Sequence, residues 1–250
     1  MDIDKIAGPL RKVLWEREII ARCELLLRTY DIVRAADLSE EEQEELHKIV
    51  GERIAPGIFA SIMSKEPVFF DLPRLDTFTQ MDGRIFHFLH TKKYSKQDFA
   101  NANRRFHNSI PELRRIMCQS LKDLLAEFMR EAGYTLISEG ADQMLFSAPK
   151  REVRAFITPS VRSLDIDKCQ GGEGEEVVAL VPSGESLEPF MKFYRERGAA
   201  AEERDLQIWV TNMEKGSIDP FVGYTTDLDI YNQFENPRLA EMVRSNWRLR

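Results

Sequence analysis

VVALVPSGESLEPFMKFYRERGAAAEERDLQIWVT, residues 177–211, opens on an apolar run, Val177–Val181, and closes on a second one, Leu206–Thr211. The continuous run Val177–Val181 suits a strand buried on both faces, because a strand with one wet face alternates, and Leu206–Thr211 reads as another apolar strand. Between them Ser186 caps a helical pattern that carries Phe190, Phe193 and Tyr194 and stops at Gly198. Strand, helix and strand over about 35 residues is the span of a βαβ crossover, which predicts a parallel pair.

Towards the N-terminus, residues 165–176 form a polar, glycine-bearing loop. Before it, Tyr134–Ser138, Gln143–Ala148 and Val153–Thr158 read as short strands, the last two joined through a Pro149-Lys150-Arg151 hairpin turn. Ahead of these, Ser109-Ile110-Pro111-Glu112 combines a cap, a first-turn proline and a reciprocal glutamate. The helix it predicts runs through Leu113, Ile116, Met117, Leu121, Leu124, Leu125 and Phe128 to a stop at Gly133. A separate helix is expected near 96–107, and residues 66–80, with Pro67 and Pro73, read as a loop.

Ser39-Glu40-Glu41-Glu42 has capping-box spacing and opens a helix to about Ser64, which Pro56-Gly57 should kink or interrupt. From Ile6, the positions Leu10, Val13, Leu14, Ala21, Leu25 and Ile32 step as one buried helix face. Beyond the βαβ unit, Asp219-Pro220-Phe221-Val222-Gly223-Tyr224, with Tyr231 and Phe234, is an aromatic stretch with turn residues that should fold over a sheet edge. Asn236-Pro237 then opens a helix to about Trp247. The fold class is α/β (α+β overall), with a helical module at 1–108 and an α/β domain at 109–250.

Charge follows the same division. Residues 1–130 hold 21 basic and 21 acidic side chains, whereas 131–250 hold 14 and 21, which accounts for the whole net charge of −7. With a pI near 5.3 the chain as a whole is not built as a basic nucleic-acid binder. Three scattered cysteines, at 23, 118 and 169, give no disulfide framework. No apolar run approaches the roughly 18–20 residues of a membrane span, and no charged-then-apolar leader opens the chain. The expectation is a cytoplasmic protein without a membrane partner.

The order helix 111–132, strand, hairpin, buried strand, helix, strand resembles the core of the PD-(D/E)XK superfamily, the restriction-endonuclease-like fold, over about residues 111–225. The resemblance implies a mixed-sheet domain with an aspartate opening the second strand and an acid-x-lysine on the third. Both carboxylates would hold Mg²⁺ against the scissile phosphate while the lysine helps activate water. Asp142 stands where the aspartate belongs. The third-strand stretch Val153–Pro159 has no acid and no lysine, and the nearest substitute is Glu152-Val153-Arg154. Arginine stays protonated and replaces that lysine poorly. The site is therefore degenerate: Asp142, Glu152 and Arg154 are its catalytic candidates, and Asp142 and Glu152 its metal candidates.

The locally basic stretch is Arg84–Arg130, with 10 basic and 4 acidic residues interleaved with Phe86, Phe88, Tyr94, Phe99 and Phe106. Its nucleic-acid-binding candidates are Lys92, Lys93, Lys96, Arg104, Arg105, Arg114 and Arg115, since basic groups beside aromatics can hold a phosphate backbone. The same residues fit a phenylalanine core with a solvated charged face, the reading that the overall acidity favours.

His87-Phe88-Leu89-His90 would place two imidazoles on one helix face, but no further ligand at a recognised spacing completes a metal site. The cysteines lack any activating pattern. Gly171-Gly172-Glu173-Gly174 runs into a strand and two glutamates, so it is not a phosphate cradle. Pro182-Ser183-Gly184-Glu185-Ser186 has better topology for holding an anion on backbone amides, although Glu185 opposes that role.

The leading expectation is a non-catalytic or vestigial nuclease-fold protein that acts by binding, with segment 84–115 as its surface and no cofactor required. A nuclease needing Mg²⁺ or Mn²⁺ is the first alternative, and a protein-interaction scaffold without a nucleic-acid role the second. DNA, RNA and a protein thus remain the open partner classes, and the oligomeric state is undetermined.

Overall fold

The structure is a computed structural model and describes residues 4–51, 53–64, 75–81, 84–90, 92–183 and 188–220. The expectations for Gly184–Ser186, the aromatic stretch from Phe221 and the helix after Asn236 fall outside those residues. The protein is mixed α/β, with N-terminal helices followed by a mixed six-stranded sheet. It divides into two compact units, Met1–Ser120 and Leu121–Arg250.

In the first unit α1 (Asp4–Arg17) and α2 (Arg22–Ala35) are separated by a short strand, β1 (Ile19–Ala21), so the long stepping pattern is two helices and not one. The break is at Glu18, whose φ of 50° is left-handed and ends α1. The helix expected over 39–64 is also two, α3 (Glu40–Val50) and α4 (Ile54–Met63). Ser39 and Glu42 make the expected capping box. The interruption comes at Gly51, at φ 95°, ahead of Pro56-Gly57, which lie in the first turn of α4 where a missing N–H is harmless. Gly57 is there for contact: a Cβ on it would collide with the Val50 carbonyl and come within 2.8 Å of the Val50 Cβ.

This unit is not purely helical. Part of the expected loop is a strand, β2 (Leu75–Met81), which pairs antiparallel with β3 (Arg84–His90), and β1 pairs with the other edge of β3. Proline spacing concealed β2, because Pro67 and Pro73 lie before it.

The two helices expected at 96–107 and 111–132 are one, α5 (Lys96–Glu131). Its cap is Ser95: the hydroxyl accepts from the Asp98 N–H at 3.3 Å and the Asp98 carboxylate accepts from the Ser95 N–H at 2.8 Å. Ser109 is interior, and its hydroxyl donates back to the Arg105 carbonyl at 3.1 Å. Pro111 is exposed and withdraws one N–H from the ladder without ending the helix.

The second unit is built on a sheet of order β4-β5-β6-β7-β8-β9: β4 (Thr135–Glu139), β5 (Gln143–Ala148), β6 (Arg151–Ile157), β7 (Glu175–Pro182), β8 (Leu206–Asn212) and β9 (Ser217–Pro220). β4, β5 and β6 form an antiparallel meander, β6–β7 and β7–β8 are parallel, and β9 returns antiparallel. Asp219-Pro220, expected as turn residues, are strand. α6 (Glu188–Glu202) joins β7 to β8 as expected, although it runs past Gly198.

One face of the sheet, with Val177, Ala179, Val181, Leu206 and Ile208, packs on Phe190 and Phe193 of α6 and on Val161–Cys169. The opposite face carries Trp209, whose ring meets Phe128 of α5 edge-on at 5.9 Å. Lys122 of α5 is buried and donates to the Glu139 carboxylate at 3.2 Å and to the Gly140 carbonyl, which fixes the β4–β5 turn.

Candidate nucleic-acid interface

Strand register places the three residues expected to form a degenerate nuclease site. The Asp142 carbonyl accepts from the Ile157 N–H at 2.7 Å, so Asp142 lies beside the last residue of β6. Glu152 pairs with Ser147, at the other end of the hairpin. Five residues of strand separate the two levels, about 17 Å at 3.4 Å per residue, and one Mg²⁺ bound at 2.0–2.1 Å cannot bridge them.

Arg154 has a different engagement. Its guanidinium donates to both oxygens of Glu175, at 2.6 and 2.8 Å, and to the Gln143 amide oxygen at 3.4 Å. The pairing raises the Arg154 pKa and, together with the Gly172 N–H, pulls the Glu175 carboxyl down to about 2. In the sequence Glu175 figures only as one of the two glutamates that argue against a phosphate cradle, with no pairing to Arg154 foreseen. It opens β7, and the parallel register sets it opposite Glu152. Among the described residues no group of three or more His, Cys, Asp or Glu is placed to hold a metal ion. The residues present do not fit the Mg²⁺ or Mn²⁺ that the resemblance implies.

His87 and His90 lie on a strand, where a spacing of three turns their side chains to opposite faces. The His90 ring is buried edge-on against Tyr94 and Phe99, with Nδ1 2.6 Å from the Lys92 carbonyl. The pair expected on one helix face is therefore not a ligand pair. Burial pushes the Cys169 thiol up to about 11, with Asp165 adding to the effect.

Gly171 and Gly172 border an open cleft of about 540 Å³ whose other walls include Glu175, Glu176, Glu202 and Asp205. Arg204, also on its wall, is held by the Ile166 carbonyl and the Asp167 carboxylate, both at 2.7 Å. This acidic cleft is no phosphate cradle.

The basic candidates separate into two groups. Lys92 is 3.9 Å from the Glu18 carboxylate and stands over the Tyr94 ring. Arg105 donates to the Arg17 and Ile19 carbonyls at 3.0 and 3.3 Å, so its charge holds the α1–β1 corner. By contrast Lys93, Lys96, Arg104, Arg114 and Arg115 are exposed and make no hydrogen bond or ion pair among the described residues.

Four of these are on α5. At 100° per residue, Lys96, Arg104, His107, Arg114 and Arg115 share roughly 100° of its circumference, opposite the buried Ala102 and Leu113. From Lys96 to Arg115 the stripe is about 28 Å long at 1.5 Å per residue.

The stripe stays positive because its neighbouring acids are spent elsewhere. Between residues 84 and 115 there are 8 basic and 2 acidic residues. Asp98 is committed to the Ser95 cap, which lowers its pKa. Glu112 accepts two hydrogen bonds from Arg28 of α2, at 2.6 and 2.8 Å, and that guanidinium, with smaller contributions from Arg17 and Arg115, depresses its carboxyl. Arg28 also comes within 3.9 Å of the buried Glu24.

The family described as "Domain of unknown function (DUF6834), C-terminal domain" matches residues 162–236, so that part of the chain is similar to a domain whose role is undefined. No curated protein matches the chain. Among the described residues no helix is long and apolar enough to cross a membrane.

Proposed function

We propose that this protein is a non-catalytic nucleic-acid-binding protein, with a nuclease-like second unit and the contact surface on α5. The observation that carries this reading is the row Lys96, Arg104, Arg114 and Arg115, exposed and without a hydrogen bond or ion pair among the described residues, while Asp98 and Glu112 are hydrogen-bonded by Ser95 and Arg28. Unpaired guanidinium groups spread over three turns or more of helix match a run of phosphates, and releasing condensed counterions favours the contact. The antiparallel meander continued by two parallel pairs supports the restriction-endonuclease-like reading of residues 121–220. The separation of Asp142 from Glu152 and the pairing of Arg154 with Glu175 support a binding role in place of hydrolysis.

The test is binding of labelled single-stranded DNA, duplex DNA and RNA at two salt concentrations, with and without Mn²⁺. The double reversal Arg104→Glu with Arg115→Glu should weaken binding at least about tenfold and flatten the salt dependence by about two units of slope. Binding indifferent to that double reversal, or no binding by the parent, refutes the proposal. Mn²⁺-dependent cleavage abolished by Asp142→Ala would refute its non-catalytic part.

A further inference from the structure

Trp15 sits on the outer face of α1 with 86% of its surface exposed, the most exposed large apolar side chain among the described residues. The inner face of α1 is Ile6, Ala7 and Leu10. At 100° per residue Trp15 stands 180° from Ile6, 140° from Leu10 and 80° from Ala7, on the side of α1 away from most of that face. Arg11 and Lys12, at i−4 and i−3, flank the indole on the same outer face. Both are exposed, and their only carboxylate contacts among the described residues are long ones, Arg11 to Asp4 at 3.7 Å and Lys12 to Glu16 at 3.9 Å. The last turn of α1 is held against α5 by Arg105, next in sequence to Arg104, through the Arg17 and Ile19 carbonyls. The exposed indole, with two cations and the exposed carboxylates of Glu16 and Glu18 among its neighbours in sequence, therefore belongs to the end of α1 that Arg105 ties to α5, in the same unit as the stripe.

We propose that Trp15 is a base-stacking platform at the edge of that stripe, which makes the preferred partner a single-stranded nucleic acid. The inference rests on the stripe being a nucleic-acid surface and adds to it the class of strand. Two features select this occupant. Arg11, Lys12, Arg104 and Arg115 call for a polyanion, and the open indole calls for a planar ring that is not already stacked. A duplex offers the phosphates and keeps its bases inside, whereas a single strand offers both. Bases stack on an aromatic face whatever their identity, so the preference is for strandedness and not for sequence.

The test uses the full-length protein with a labelled oligo(dT) and a duplex of the same length. The parent should bind the oligo(dT) more tightly. Trp15→Ala should lose about tenfold on oligo(dT), the size of one lost base–aromatic stack, and about twofold or less on the duplex. It should leave the salt slope unchanged, since no phosphate contact is removed. Trp15→Phe, which keeps a ring, should restore most of the loss. Trp15 lies outside the core, so neither variant threatens folding. Equal losses on both ligands, or no loss in Trp15→Ala while Arg104→Glu with Arg115→Glu abolishes binding, overturn the stacking platform and leave the stripe standing. If the double reversal has no effect, or the parent binds neither ligand, the stripe fails and the platform with it.

Discussion

Arg154 and Glu175 make two hydrogen bonds across the β6–β7 pair, and that pairing, with the Gly172 N–H, lowers the Glu175 carboxyl from its ordinary 4.5 to about 2. A carboxyl held down in the folded state contributes stability that is fully present above pH 4.5 and is lost as pH falls towards 2. Glu175→Gln should therefore cost roughly 1.5 kcal/mol at pH 7, the loss of a charge-assisted hydrogen bond. The difference from the parent should shrink steadily on acidification in a urea titration series. A gap at pH 2 as wide as at pH 7 would show that the pair is not its source. The thiols separate in the same spirit. Cys23 is exposed, whereas Cys169 is buried with its thiol pushed up to about 11. At pH 8 an aromatic disulfide reagent should titrate Cys23 rapidly and Cys169 only on unfolding, and Cys23→Ser should remove the fast phase.

Helices and strands show what one-dimensional pattern can and cannot carry. Gly57 occupies a helical position where alanine would ordinarily add up to about 1 kcal/mol, yet a Cβ there runs into Val50. Gly57→Ala should instead destabilise by roughly 1–3 kcal/mol in denaturant melts. The edge strand β4 is exposed at every position, Ile137 is 56% exposed, and the register shifts between Leu136 and Ser138. Such an edge is a template for association, so Ile137→Lys should raise the concentration at which light scattering appears and leave the melting temperature within about 2 °C.

The βαβ unit, the hairpin and the Ser39 cap were legible because each writes its signal locally: an apolar run, a proline turn, an acid three residues after a serine. The joins were less legible. Ser109-Ile110-Pro111-Glu112 has every mark of a helix start, but tertiary packing of Ala102, Leu113 and Ile116 carries α5 straight through it. β2 and β3 were missed because their pairing joins residues whose own pattern resembles loop and helix. At the candidate site, sequence supplied the basic residues but not which of them are spent. That Arg105 serves two carbonyls and Arg28 neutralises Glu112 depends on contacts 84 to 88 residues apart. The outward Trp15 was visible in principle, as a tryptophan on the polar side of α1's stepping pattern.

At the scale of the whole molecule, the net charge of −7 and the +6 between residues 84 and 115 are compatible because charge acts over a Debye length, about 8 Å at physiological salt, and not over a chain. The overall acidity that argued for a merely solvated face therefore does not decide the matter. Placement does. The topology also sets an order in time. Among the described residues β1 pairs only with β3, Ile19 opposite His90, so seventy-one residues must be added before the strand between α1 and α2 meets this neighbour. At about 5–20 residues per second that is roughly 4–14 s of synthesis. For that interval Ile19, Ile20 and Ala21, fully buried in the finished protein, have no sheet to enter. Stalled nascent chains should become protease-resistant across residues 4–35 only once Phe88–His90 have emerged. The first helices made thus wait for a strand some seventy residues downstream, and the ribosome's pace, more than their own stability, decides how long they wait.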